Sequence, residues 1–168
     1  MHPNPMSPYA LHKLTSEYYC KLFNLHYGLE TIALRYFNVF GERQPNSGAY
    51  KTVLSTFFEQ YKQGKPFTIV GDGKQSRDFV YVKDVARANI KAAELLLQGV
   101  RGDAINIGSG TSYAVYQIAD LIDKNHPREY LPPRIEPHET QAAINIAFET
   151  LGWKPTTTLE QWLQSQAL

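Results

Sequence analysis

The sequence predicts an α/β fold, and three observations carry the prediction. Helical and strand patterns interleave along the chain, the strand segments are short runs of β-branched and aromatic residues, and Gly, Pro, Asn or Asp mark most junctions. With 168 residues, 43% of them apolar, there is material for one domain-sized core.

The elements follow in order. Ser7 and Pro8 read as the N-cap and first turn of a helix that ends near Gly28, a C-terminal cap glycine. Along it Leu11, Leu14, Tyr18, Leu22 and Leu25 recur at three- and four-residue steps and form one apolar stripe. Thr31 to Phe37 reads as a mostly buried strand, and Gly41 to Gly48, with Pro45 and Asn46, as a loop. A second helix is expected from Lys51 to Gln63, stopped by Gly64 and Pro66. Phe67 to Val70 is a strand, Gly71-Asp72-Gly73 a turn, and Asp78 to Val82 a further strand. Asp84 is expected to cap a helix reaching Gln98, and Asp72 and Asp78 to serve as turn and cap residues. Ala104 to Ile107 is a strand, Gly108-Ser109-Gly110 a tight turn, and Ser112 to Lys124 a helix. The proline-bearing tail, with Pro132, Pro133 and Pro137, reads as extended or looped until Thr158 and Gln161 make a capping box for a last helix.

Composition excludes several classes of function. A net charge of +1 and 20% charged residues suit neither a nucleic-acid binder nor a disordered chain. The apolar runs are too short to span a bilayer, and the first residues lack the pattern of a secretion signal. Cys20 is the single cysteine, so no internal disulfide is possible and a reducing, cytoplasmic setting is expected. The five histidines, His2, His12, His26, His126 and His138, show no metal-ligand spacing.

The chemical signal begins at Tyr9-x-x-x-Lys13. Residues four apart on a helix share a face, and a neighbouring ammonium favours the phenolate of a tyrosine, a group that otherwise ionises near about pH 10. Such a pair can move a proton to or from a substrate hydroxyl. The spacing alone does not discriminate, because it recurs at Tyr61 and Lys65, astride Gly64.

The surrounding sequence does. Pro5-Met6-Ser7-Pro8-Tyr9-Ala10-Leu11-His12-Lys13, continuing to Glu17, resembles the active-site helix of extended short-chain dehydrogenases. Four more stretches resemble the same family in its order: Ala33 to Gly41, Gly71 to Ala86, Asn106 to Gly110, and Leu151-Gly152-Trp153-Lys154-Pro155. The chain is therefore similar to the C-terminal half of an NAD-dependent nucleotide-sugar epimerase or dehydratase of the UDP-glucose 4-epimerase type. Within it, residues 1–40 and about 78–125 are expected to complete a Rossmann-type parallel sheet. Residues 41–77 and about 126–168 are expected to form the small α/β substrate-binding part.

The resemblance implies roles. Tyr9 and Lys13 would be the catalytic pair and, with Tyr36, would contact NAD. Asn38, Arg77 and Arg134 would bind the diphosphate of a nucleotide-sugar, most commonly a UDP-hexose. Other readings stand beside these: a strand aromatic anchored through its hydroxyl for Tyr36, a turn asparagine for Asn38, and an ion pair with a neighbouring acid for Arg77. The family places a Gly-acid pair two residues after the second arginine, where this chain has Glu136-Pro137. It also has an acid where Ala142-Ala143-Ile144-Asn145 stands.

No Gly-x-x-Gly-x-x-Gly run occurs in the sequence, so the NAD-binding half is expected to lie outside it and the chain to be inactive alone. The residues that separate 4-epimerisation from 4,6-dehydration belong to that half, as does the Ser or Thr that orients the sugar. A non-catalytic nucleotide-sugar binding or assembly module is the alternative. A homodimer through the first helix is expected, because relatives associate through the tyrosine-bearing helix.

Overall fold

The computed structural model describes residues 3–45, 48, 51–99 and 104–166. His2 and Asn46, named above, lie outside the described residues. Helix α1 (Pro8–Tyr27) begins and ends as its punctuation predicts. The Ser7 hydroxyl accepts from the Ala10 N–H at 3.1 Å, and Gly28 adopts a left-handed φ of 67° while its N–H donates to the Asn24 carbonyl. None of its residues is buried.

Strand β1 (Ala33–Tyr36) is shorter than the predicted Thr31–Phe37. It is followed after one residue by β2 (Asn38–Phe40), a strand the pattern did not separate. Helix α2 (Val53–Lys62) is capped by Thr52, whose hydroxyl accepts from the Ser55 N–H at 3.2 Å. Strand β3 (Phe67–Val70) comes next, then β4 (Ser76–Tyr81). Helix α3 (Val82–Leu97) starts directly from β4 with Tyr81 at the N-cap position, so Asp84 lies within the first turn and is not the cap. Strand β5 (Ala104–Ile107) falls where expected. The predicted Ser112–Lys124 helix is instead a short strand β6 (Ser112–Ala114) and helix α4 (Val115–Asp123).

The tail holds more structure than its prolines suggested: β7 (Arg128–Leu131), β8 (Glu139–Thr140), α5 (Asn145–Leu151) and α6 (Leu159–Gln164). The capping box of α6 is formed as predicted. Gln161 N–H donates to the Thr158 hydroxyl at 3.2 Å, and Thr158 N–H to the Gln161 side chain at 2.9 Å.

Among the described residues, three pairing groups make up the sheet structure. β1 and β5 run parallel, as do β3 and β7. β4 is the central strand: Phe79–Tyr81 pairs in parallel with β2, while its first residues pair with β6 antiparallel and with β8 parallel. Successive side chains of a strand face opposite ways, and β4 uses both faces. Phe79 and Tyr81 join Phe40, Phe57, Phe67, Ile118, Leu159 and Trp162 in one apolar cluster. Val80 joins Ala88, Ile105, Ile107, Leu151 and Trp153 in the other. The chain is thus α/β with parallel pairing, as the sequence predicts.

Candidate functional site

Tyr9 and Lys13 lie one turn apart on α1, with the Lys13 ammonium 5.4 Å from the Tyr9 ring centroid. Both line an open groove between the N-terminal end of α1, the Pro3–Pro5 segment and Arg35. Tyr9 is 61% exposed. Lys13 has no carboxylate partner among the described residues, whereas Arg35, the other cation on this groove, is fully engaged. Its guanidinium donates to both Glu17 oxygens at 2.6 Å, a two-pronged bond that fixes α1 against β1. This bond holds the Arg35 guanidinium above its usual range. Glu17 stands four residues after Lys13, and that spacing is the signal by which sequence reasoning could have placed it on the same groove.

Three residues beyond Arg35, Asn38 opens onto a second groove of about 660 Å³. Three residues of extended chain span about 10 Å, so the two grooves are neighbours along this strand. The second groove also holds Arg77 from β4 and Arg134 from the tail, with Lys51, Thr52 and Gln75 on its walls and Phe57, Phe79 and Val115 as apolar lining. Asn38 donates its amide to the Asp78 carbonyl at 2.8 Å, which ties β2 to β4. Arg77 donates to the Ser76 carbonyl at 2.8 Å and to the Glu136 carboxylate at 2.5 Å. The ion-pair reading of Arg77 is therefore realised, by an acid 59 positions away rather than by a neighbour in sequence. Arg134 has no carboxylate partner among the described residues.

Tyr36 lines neither groove. Its hydroxyl donates to Asn89 on α3 at 2.8 Å, and Asn89 donates in turn to the Val85 carbonyl, so Tyr36 is a strand aromatic held through its hydroxyl. Tyr36 as a whole is 47% exposed, so one side of it remains open.

Two acids depart from their expected places. Asp78 is neither a turn nor a cap residue: it sits inside β4, fully buried. Asp84 is 2% exposed. Its carboxylate accepts from the Thr156 N–H and hydroxyl and from the Thr157 N–H, at 2.7–3.1 Å, and from Arg87 at 2.7 Å. Asp72 does form a turn, accepting from the Lys74 N–H at 3.0 Å. Among the described residues no group of His, Cys, Asp and Glu could hold a metal ion, and no helix is long and apolar enough to cross a membrane.

The profile of the NAD dependent epimerase/dehydratase family matches residues 1–108. The chain belongs to this family. It is 38% identical over 174 residues to a putative UDP-glucose 4-epimerase of Methanocaldococcus jannaschii, covering 97% of this chain and 53% of that protein. Among solved structures it is similar to the UDP-glucose 4-epimerase of Thermotoga maritima with UDP-glucose, at 37% identity and a TM-score of 0.87, over 96% of this chain and 52% of that one. It is also similar to the UDP-glucuronic acid 4-epimerase of Bacillus cereus in complex with UDP-glucuronic acid and NAD. That match has 30% identity and a TM-score of 0.85, over 98% and 52% of the two chains. This member of the epimerase/dehydratase family thus spans about half the length of the relatives it matches.

Proposed function

We propose that this chain supplies the acid–base pair and the diphosphate-binding groove of an NAD-dependent nucleotide-sugar 4-epimerase. The observation that carries the reading is the convergence of Asn38, Arg77 and Arg134 on one groove, three residues along the chain from the groove of Tyr9 and Lys13. Two guanidinium groups and a carboxamide match a diphosphate, and the apolar and hydroxyl walls suit a base and sugar. The family, and relatives described with UDP-glucose and with UDP-glucuronic acid, support a UDP-hexose as the ligand.

In this reading Tyr9 takes the proton of the sugar C4 hydroxyl while hydride leaves C4, and it returns a proton when the keto-sugar is reduced on its other face. Lys13 places its ammonium beside the Tyr9 ring, on the same side of the groove. NAD, when bound, accepts and returns the hydride. The open groove beside an exposed phenol and a cation without a carboxylate partner fits one end of such a cofactor. Tyr36, outside that groove, would meet the cofactor through its exposed side. Turnover further requires a glycine-rich turn for the pyrophosphate of the cofactor. Residues 1–40 and about 78–125 belong, in this reading, to the cofactor part, and 41–77 and about 126–168 to the substrate part. A reducing cytoplasm, which keeps Cys20 as a thiol, belongs to the same reading.

Self-association through α1 belongs to it as well. Leu11, Tyr18, Leu22 and Leu25 are each about half exposed or more, a stripe that a second copy would cover. Sedimentation that shows a monomer at every concentration would rule the dimer out.

Calorimetric titration with UDP-glucose tests the groove directly. The chain is expected to bind it, and Arg134→Ala to bind at least about tenfold more weakly, the loss typical of a charge-assisted hydrogen bond. Absence of any binding heat, with the protein folded, would reject the functional reading.

A further inference from the structure

We propose that Asp78 is a positioning residue for the nucleotide-sugar groove: its buried carboxylate fastens residues 138–142 to β4 and so sets where Arg134 stands relative to Arg77. The proposal rests on the functional reading above. Arg77 and Asp78 are neighbours in β4, so their side chains leave opposite faces, the guanidinium lining the groove and the carboxylate buried behind it.

The carboxylate is surrounded by donors from two distant segments. One oxygen accepts from the Ser109 N–H at 2.6 Å and the Ser109 hydroxyl at 2.9 Å; the other accepts from the Gly110 N–H at 2.9 Å and the Ala142 N–H at 3.0 Å. No Lys or Arg among the described residues pairs with it. A carboxylate fully removed from water is tolerated only while its acceptors are filled, so the Ser109–Gly110 turn and Ala142 are bound to stay where they are.

The tail needs this fastening. β8 contributes two residues to β4, Glu139 opposite Ser76 and Thr140 opposite Arg77, with Ser76 N–H donating to the His138 carbonyl at 2.8 Å. A ladder that short holds poorly by itself. The bond from Ala142 to Asp78 carries the attachment further, and Gln141 adds one from its amide to the Gly110 carbonyl at 2.6 Å. Arg134 and Glu136 lie immediately before this anchored stretch and form the groove wall. Gly108 completes the cradle. A Cβ there would collide with the Ala142 Cβ and stand 3.0 and 3.1 Å from the two Asp78 oxygens.

Asp84 offers a matched control. It too is a buried carboxylate that binds the tail, but through Thr156 and Thr157, which line neither groove. The experiment is calorimetric titration of the whole chain with UDP-glucose, with thermal unfolding alongside, for wild type, Asp78→Asn, Gly108→Ala and Asp84→Asn. All three variants lower Tm. Asp78→Asn and Gly108→Ala are expected to bind at least about tenfold more weakly, and Asp84→Asn within about twofold of wild type. Removing a negative charge near a diphosphate site would by charge alone strengthen binding, so weaker binding by Asp78→Asn reports position. Gly108→Ala moves the same segment by collision without touching any charge, and decides the matter if Asp78→Asn does not fold. Wild-type affinity in both Asp78→Asn and Gly108→Ala, or an equal loss in Asp84→Asn, would overturn the proposal. A folded wild type that binds no UDP-glucose would remove the functional reading and this inference together.

Discussion

Burying a carboxylate is unfavourable unless its oxygens are fully bonded, and Asp84 meets that condition with groups from well outside its own helix. Two backbone N–H groups, a threonine hydroxyl and the Arg87 guanidinium converge on it, and its carbonyl receives the Trp153 indole N–H at 2.9 Å. Asp84→Ala would leave the part-buried Thr156 and Thr157 donors and the Arg87 guanidinium without their acceptor, and is expected to lower stability by about 3 kcal/mol in urea unfolding. Such roles are illegible in sequence, because aspartate is rarely buried and the donors stand 72 and 73 positions away. A separation of 59 positions likewise hid Glu136 from Arg77. That Tyr9 and Lys13 stand side by side was legible for the converse reason: four residues on one helix are a local relation, and the helix itself is marked by Ser7 and Gly28.

Among the elements, those with local start and stop signals were readable and those made by pairing were not. Helices α1, α2 and α6 carry caps that can be read one residue at a time. Thr158→Ala, which breaks the α6 box, is expected to cost about 1 kcal/mol, measured by thermal or urea unfolding. Strands β2, β7 and β8 have two to four residues each and exist because β4 or β3 lies beside them, which no local window reveals. The start of α3 is held from outside by a comparable device. A backbone N–H, the Lys83 ammonium at 3.0 Å and the Tyr81 hydroxyl at 2.8 Å bond the Glu42 carboxylate and draw its carboxyl down to about 2. A carboxylate whose folded pKa is depressed contributes above its unfolded value, about 4.5, and loses that contribution as pH falls towards 2. The Tm difference between wild type and Glu42→Gln is therefore expected to be full at pH 7 and to shrink as the pH falls towards 2.

At the scale of the molecule, the α/β class and the family motifs were readable because they are carried by order and spacing along the chain. The two apolar clusters were not, since each gathers side chains from both ends of the sequence. On the outer side, α1 lies over β1 with none of its residues buried, held by the Arg35–Glu17 bond and by Thr31 donating to the Cys20 carbonyl at 3.2 Å. Leu22→Glu should leave the fold intact and, if α1 joins two copies, convert the sedimenting species to monomer. The late residues have the opposite character. Ala147, Leu151 and Trp153 complete one cluster, and Leu159, Trp162 and Leu163 complete the other. During synthesis the chain emerges from its N-terminal end, so β1 to β6 leave the ribosome with both interiors still open. One core cannot close until residue 153 has cleared the tunnel and the other until residue 163 has, and until then the growing chain presents unfilled apolar surface to whatever chaperones meet it.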